Sequence, residues 1–114
     1  MPLAIFDTLY IMPFVYILKC ADDSYYTGMT ANLEHRLAQH QAGTYEGYTS
    51  SRLPVQLVWS QTVQTENEAF LLEHQIKGWS RAKKEALMRN DFHDLHTIVV
   101  TERKRREKKK RGAS

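Results

Sequence analysis

A single acidic residue interrupts an otherwise apolar helix face, which makes it the first candidate for chemistry. Glu73 belongs to a helical stripe whose other members are Ala69, Leu72 and Ile76. A buried, ionised carboxylate must be paired, protonated or bound to a cation, and Mg²⁺ often takes only one or two carboxylates from a protein. The pattern leaves two interpretations open: a metal ligand, or a carboxylate at the stripe edge that reaches solvent or pairs with Lys77.

Arg36 is a second charged residue on an apolar helix face, here a cation in place of an anion. It lies between Leu33 and Leu37 on the apolar stripe of its own predicted helix. A guanidinium turned into a cleft suits a phosphate, to which it donates two hydrogen bonds. The alternative is an arginine whose stem packs on the stripe while its charge reaches water. One inward carboxylate and one inward guanidinium on separate helices together favour a functional site over coincidence.

Two tyrosines stand in neighbouring predicted strands. Tyr16 and Tyr26 are ten residues apart, across a tight turn. Each can be an aromatic residue of the core or of the sheet face. As a base, a phenol of pKa about 10 needs a cation or metal-bound water nearby to draw off its proton. Arg36, or a metal at Glu73, would supply that charge.

Other catalytic arrangements are excluded by the sequence. The five histidines have no cysteine or acidic partners at the spacing of a zinc site. No Gly-rich phosphate loop and no nucleophile elbow is present. Cys20 is the only cysteine, so it cannot form an internal disulfide, and its place at the end of an apolar strand predicts a buried thiol.

Length and composition predict one globular domain. The chain has 114 residues, of which 42% are hydrophobic and 25% are charged, as is usual for a folded protein. No apolar run approaches the roughly 20 residues that cross a bilayer. The first residues carry Asp7 and no lysine or arginine, which is wrong for a secretory or mitochondrial signal. We therefore expect a cytoplasmic protein without a membrane contact.

The net charge of +3 conceals an uneven distribution. Residues 101–114 hold eight lysines and arginines against two glutamates, whereas the other 100 residues have a net charge of −3. Within that remainder, five cations lie within 13 residues and only Glu85 opposes them. Such a patch can face phosphates or can be an ordinary solvated helix face. Its members are Lys77, Arg81, Lys83, Lys84 and Arg89.

Three strands are predicted. Residues 14–20 are β-branched and aromatic and are apolar on both faces, which indicates a central strand. A turn at 21–24 leads into a second strand at 25–27 and so forms a hairpin. Gly28 then interrupts this strand, where a missing Cβ usually marks a bulge or a close approach. A third strand covers residues 55–59 and can extend to Val63.

Cap residues predict helices between and after these strands. The first helix begins after Asn32, or alternatively Thr30, and ends near Gly43. The second begins at a capping box, in which Thr65 is followed three residues later by a glutamate, and runs to about Lys77.

A third, short helix is predicted from Ser80 to Arg89. The order is therefore ββαβα with a short helical extension. It defines an α+β domain in which helices flank a small three-stranded sheet, antiparallel or mixed.

The motifs and their order resemble the GIY-YIG nuclease domain, in particular small stand-alone bacterial members related to the nuclease part of excinuclease C. The resemblance rests on Phe14-Val15-Tyr16, then Tyr26-Thr27-Gly28, then Arg36 and Glu73 in successive helices. It extends from about residue 14 to residue 95. Three longer stretches are similar to that subgroup, namely residues 15–18, 32–37 and 76–84.

The resemblance implies a metal-dependent endonuclease that hydrolyses DNA phosphodiester bonds, with a role in DNA repair or recombination. Glu73 would hold one Mg²⁺ or Mn²⁺ ion. Tyr16 or Tyr26 would activate the attacking water, and Arg36 would stabilise charge on the phosphate. Met29 stands where some relatives have a lysine, so one cation that would lower a tyrosine pKa is missing.

Further residues acquire supporting roles from the resemblance. Gly28 would let the backbone approach the site, and His40, one turn after Arg36, falls where relatives often have a polar or aromatic active-site residue. The cations expected to bind nucleic acid are Lys77, Arg81, Lys83 and Lys84.

The expected organisation has three parts. Residues 1–12 form an N-terminal extension, with Met12 as an alternative start. Residues 13–98 form the nuclease-like domain. Residues 99–114 form a basic tail that is disordered, or is helical only on contact with a partner. The alternative functions are a catalytically weak or silent nucleic-acid-binding module with the same fold, and a protein-interaction domain tethered by its tail. The sequence determines neither a protein partner nor an oligomeric state.

Overall fold

A computed structural model describes residues 12–45 and 47–112. The described residues form β1 (Phe14–Lys19), β2 (Tyr25–Thr30), α1 (Leu33–Ala42), β3 (Gln56–Thr62), α2 (Glu66–Lys77), α3 (Arg81–Met88) and α4 (Phe92–Gly112). They divide into two compact units, of which the first ends at Lys77 and the second begins at Gly78. Apart from Met12, the predicted N-terminal extension lies outside the described residues.

The first unit is built on an antiparallel sheet with β1 in the centre, in the order β2-β1-β3. Val15, Ile17 and Leu18 are fully buried, as the apolar pattern on both faces predicts. β1 pairs antiparallel with both neighbours, and Tyr16 lies opposite Gly28 in β2. The predicted α+β class is confirmed, with a sheet that is antiparallel throughout.

Helix α1 begins and ends where its cap residues predict. The Asn32 side chain accepts a hydrogen bond from the backbone N–H of His35 at 3.0 Å, so Asn32 and not Thr30 is the N-cap. Gly43 closes the helix in the left-handed conformation, with φ of 74°. Leu33 and Leu37 pack against the core cluster that contains Tyr16.

Helix α2 packs against β1 and β2 and carries the predicted acidic residue inward. Thr65 caps it, because its hydroxyl accepts a hydrogen bond from the Glu68 backbone N–H at 3.1 Å. Ala69, Glu73 and Ile76 are buried, so the predicted stripe is confirmed.

The second unit consists of α3 and α4. Ser80 caps α3 by accepting a hydrogen bond from the Lys83 N–H at 3.3 Å, as predicted. The basic segment differs from the expected disorder, because α4 continues as a helix through Gly112. Lysine, arginine and glutamate are good helix formers, and an ion pair of 2.8 Å joins Glu102 on α4 to Lys83 on α3. Of the described helices, none is both long and apolar enough to cross a membrane.

Candidate active site

Tyr16 lies on the central strand with its hydroxyl in a tight space. Its side chain is only 1% exposed, and its Oη lies 2.9 Å from Nε2 of His40. A Cβ placed on Gly28 would lie 2.5 Å from this hydroxyl and 2.6 Å from Cζ of the ring. The glycine is therefore required by the close approach of Tyr16, one of the two meanings predicted for it, whereas β2 continues through Gly28 to Thr30 without the expected interruption.

His40 links Tyr16 to the loop that follows α1. The imidazole is fully buried, and its Nδ1 lies 2.8 Å from Oγ1 of Thr49, which is itself 1% exposed. Burial lowers the pKa of His40, and the charge of Arg36 lowers it further. The imidazole is therefore neutral at pH 7, and a continuous hydrogen-bonded chain joins Tyr16, His40 and Thr49.

Aromatic rings surround this chain. The Tyr26 ring centroid lies 6.3 Å from that of Tyr16 and 5.3 Å from that of His40. Tyr45 lies against another part of the His40 ring, with centroids 4.5 Å apart, and Tyr48 stacks on Tyr26 at 6.2 Å. The two predicted tyrosines and His40 are thus brought together in one cluster.

Arg36 reaches the same cluster from α1. Its guanidinium carbon lies 4.7 Å from the centroid of Tyr45, and its Nε is buried without a hydrogen-bond partner. Burial raises the pKa of Tyr16 to about 12, against the lowering effect of the nearby Arg36 charge. The pKa of Tyr26 is also raised, by burial and then by the neighbouring Tyr45. Both phenols therefore hold their protons at neutral pH.

Glu73 is buried, as the stripe predicts, and it has a partner. Its side chain is 7% exposed and forms an ion pair with Lys77, whose side chain is half exposed. Its charge adds to the effect of burial in raising the pKa of Tyr16 and of Tyr26, so it acts on both phenols. The carboxylate is therefore buried and paired with Lys77, as the second of the two interpretations predicts.

The donor set around Glu73 fits only some ions. Within residues 12–45 and 47–112, no group of three or more histidine, cysteine, aspartate or glutamate side chains could hold a metal. A zinc site needs at least three such ligands. One carboxylate fits Mg²⁺ or Mn²⁺, since Mg²⁺ is commonly held by one or two carboxylates together with waters and substrate phosphate oxygens.

Three of the four cations predicted to bind nucleic acid lie in the second unit, where two of them form ion pairs. Arg81 lies 3.4 Å from Glu85, and Lys83 pairs with Glu102. Burial lowers the pKa of Lys84. The fourth, Lys77, pairs with Glu73. More acidic partners oppose this patch than the single Glu85 expected from the sequence, because α4 contributes one from a distant position.

Thr49 and Tyr45 are the residues that sequence reasoning missed. Both lie in the polar loop of residues 43–55, between α1 and β3. A loop has no periodicity from which a buried face can be predicted. Only the contacts with His40 identify them.

The fold agrees with a comparison against known proteins. Residues 12–86 match the GIY-YIG catalytic domain. The match covers all three strands and the first two helices, and the chain belongs to the GIY-YIG family, a family of nucleases.

Within that family, the chain is similar to small proteins called UPF0213, a name that states no activity. One from Natronomonas pharaonis is 46% identical over 78 residues, which are 68% of this chain and 92% of that protein. Another, from Staphylococcus haemolyticus, is 46% identical over 71 residues, 62% of this chain and 87% of that one. The solution structure of a protein from E. faecalis is 35% identical, covers 72% of this chain and 86% of that chain, and has a TM-score of 0.51.

Proposed function

We propose that this protein is a divalent-metal-dependent endonuclease that hydrolyses DNA phosphodiester bonds, with a role in repair or recombination. The observation that carries the proposal is the buried hydrogen bond between Tyr16 and His40, beside the guanidinium of Arg36. Membership of the GIY-YIG family supports the reaction class and DNA as the substrate.

Tyr16 is the better candidate for the base, because it has a proton acceptor. At pH 7, a free phenolate on a group of pKa about 12 would cost about 7 kcal/mol, at about 1.4 kcal/mol for each pKa unit. Passing the Tyr16 proton to Nε2 of His40, while the phenol takes a proton from water, avoids a free phenolate. For Tyr26, burial and then the neighbouring Tyr45 raise the pKa, which favours its protonated form.

Arg36 is suited to the phosphate. Its Nε–H is buried and has no acceptor, which costs free energy that a phosphate oxygen would recover. Its charge also lies beside Tyr16 and His40, where negative charge grows on the phosphate as water attacks. The phosphate charge would offset the repulsion between Arg36 and a protonated His40.

Glu73 would hold one Mg²⁺ or Mn²⁺ ion. When bound, such an ion polarises the phosphate and stabilises the leaving oxygen. Lys77 already pairs with this carboxylate, so ion binding has to share or displace that contact.

A cleavage assay tests the proposal. Labelled plain, flapped and branched duplexes are incubated with the protein in Mg²⁺, Mn²⁺ or a chelator. We expect cleavage that needs the metal and a loss on the order of 10³-fold in Glu73→Gln, which removes the anionic ligand and keeps the shape. Circular dichroism checks that the variant is folded. A variant that cleaves at the wild-type rate would contradict the metal assignment.

The second candidate is a silent nucleic-acid-binding module with this fold. It is favoured by the contact between Lys77 and Glu73, which provides the carboxylate with a partner without any metal. DNA binding without cleavage of any duplex, in either metal, would support this candidate over the nuclease.

A further inference from the structure

We propose that Thr49 is a positioning residue of this site, whose hydroxyl holds His40 in the tautomer that leaves Nε2 free to accept the Tyr16 proton. Its catalytic consequence rests on the proposed function, but the tautomer itself can be measured without any activity. Both hydrogen bonds of the chain are buried, at 2.9 Å from Tyr16 to His40 and 2.8 Å from His40 to Thr49.

The direction of the hydrogen bonds follows from the neighbours of Tyr16. The nearby Arg36 carries a guanidinium, which can only donate, so it offers no acceptor for the phenol proton. The phenol keeps its own proton at neutral pH and, being buried, needs an acceptor for it, which is Nε2 of His40. A neutral imidazole that accepts at Nε2 carries its proton on Nδ1. Thr49 Oγ1 is the acceptor for that proton.

Thr49 is held firmly enough for this role. Its backbone carbonyl accepts a hydrogen bond from the Arg52 N–H at 2.9 Å. The Arg52 side chain donates to the Tyr48 carbonyl at 2.7 Å and to the Asp22 carboxylate at 3.1 Å. The loop is thereby attached to the turn between β1 and β2, so the position of the Thr49 hydroxyl is fixed relative to the strand that carries Tyr16.

In the reaction the protons balance along this chain. The attacking water gives a proton to the Tyr16 oxygen as the Tyr16 proton passes to Nε2 of His40. The water oxygen attacks phosphorus as hydroxide, the bond from phosphorus to the leaving oxygen of the DNA breaks, and the leaving oxygen takes a proton from solvent water. His40 becomes an imidazolium whose Nδ1–H still donates to Thr49, and it releases the extra proton to solvent when the products leave. Without the hydroxyl, the Nδ1–H would be buried with no acceptor, which favours the other tautomer, with Nε2 protonated and unable to accept.

The experiment compares Thr49→Val, which removes the hydroxyl at similar size, with Thr49→Ser, which keeps it. Thr27→Val is the matched control, because Thr27 is another buried threonine of the first unit and its hydroxyl has no hydrogen-bond partner. Long-range ¹H–¹⁵N spectra of the full chain, without metal or DNA, report the tautomer of His40. Single-turnover cleavage with Mg²⁺ at saturating protein reports the rate.

We expect His40 to carry its proton on Nδ1 in the wild type, in Thr49→Ser and in Thr27→Val, and to lose that tautomer in Thr49→Val. The rate should fall about 10- to 100-fold in Thr49→Val, by analogy with the residues that orient metal-binding histidines, and recover in Thr49→Ser. A proton on Nε2 of wild-type His40 would overturn the proposal even if Thr49→Val does not fold. So would a Thr49→Val variant with an unchanged tautomer. A wild type that cleaves no DNA, with the tautomer change present, would sustain the role of Thr49 and reject the nuclease.

Discussion

The hydroxyl of Tyr16 occupies space that any side chain at position 28 would fill. Cross-strand pairing places Gly28 directly opposite Tyr16, and the ring lies close to where a Cβ would stand. Position 28 therefore requires glycine because a larger side chain would clash with the Tyr16 ring, and not because the backbone conformation is one that only glycine adopts. The same close approach directs the hydroxyl toward His40.

Gly28→Ala tests this packing. The added methyl would lie 2.5 Å from the Tyr16 hydroxyl and 3.0 Å from the Tyr26 ring, so the tyrosines must shift and the hydrogen bond to His40 should break. We expect a loss of about 1–3 kcal/mol in the free energy of unfolding and a cleavage rate reduced at least tenfold. Gly112→Ala is the control, because a Cβ there meets nothing within 4 Å. Urea denaturation that finds both variants equally stable would contradict the packing argument.

The buried, neutral His40 predicts a dependence of stability on pH. Its pKa is lowered in the folded state by burial and by Arg36, while the unfolded chain binds the proton near the usual value of about 6.5. The stabilising contribution is therefore fully present above pH 6.5 and is lost as the pH falls through the folded-state pKa. The slope for this one proton is at most about 1.4 kcal/mol per pH unit.

His40→Gln should reduce the change in the free energy of unfolding with pH below about pH 6.5. Urea denaturation at about pH 7.5 and about pH 5.5, on either side of the ordinary histidine pKa, measures the difference for the wild type and the variant. We expect the wild type to lose more stability between the two values. An equal loss in both proteins would show that another group causes the dependence.

At the scale of elements, the caps of α1 determine where the helix that carries two site residues begins and ends. Asn32 fixes the first turn and Gly43 the last, and Arg36 and His40, four residues apart, lie on one side of the helix. A helix that began one residue earlier or later would keep this spacing. The cap residues therefore stabilise α1 but do not decide which side faces the sheet. The packing of Leu33 and Leu37 against the core decides that orientation.

Asn32→Ala should cost about 1 kcal/mol in the free energy of unfolding, because it removes the acceptor for the His35 N–H. Asn32→Asp keeps an acceptor and should be close to the wild type. Cleavage at saturating protein should remain within a few-fold in both variants, since neither changes a group near Tyr16. A large loss of rate in folded Asn32→Ala would mean that the cap also positions the site.

At the scale of the whole molecule, the net positive charge belongs to the last helix. Each lysine or arginine that neutralises a DNA phosphate releases a counterion, so affinity should fall steeply with salt. Glu102 of α4 pairs with Lys83, so truncation of the whole basic segment would also release a cation on α3. Substitution within α4 is therefore a cleaner test than deletion.

Replacing Lys108, Lys109, Lys110 and Arg111 by glutamine should weaken DNA binding and reduce its salt slope by about 0.9 for each phosphate that is no longer neutralised. The cleavage rate at saturating protein should not change, because the proposed chemistry lies in the first unit. Arg36→Ala should do the opposite, with a strongly reduced rate and little loss of affinity. Equal loss of saturated rate in the two variants would contradict this division between binding and chemistry.

The sequence alone determined the strands and the first three helices, but not α4, and it marked four candidate residues, because those signals are local. Periodicity and caps predicted β1, α1, α2 and α3 within one or two residues of their observed ends. The same stripes marked Arg36 and Glu73, and the hairpin pattern marked Tyr16 and Tyr26. Each of these inferences needs only residues that are near one another in the chain.

Only the tertiary structure decided which groups meet. Tyr16 and His40 are 24 residues apart and come into contact because α1 packs on the central strand. Thr49 is buried in a polar loop that has no apolar period, so its role depends on how the loop is attached to the β1–β2 turn. The ion pair between Lys83 and Glu102 likewise arises from the packing of α3 on α4. Local patterns carry no information on such contacts, because their free energy depends on distances between residues that are remote in sequence.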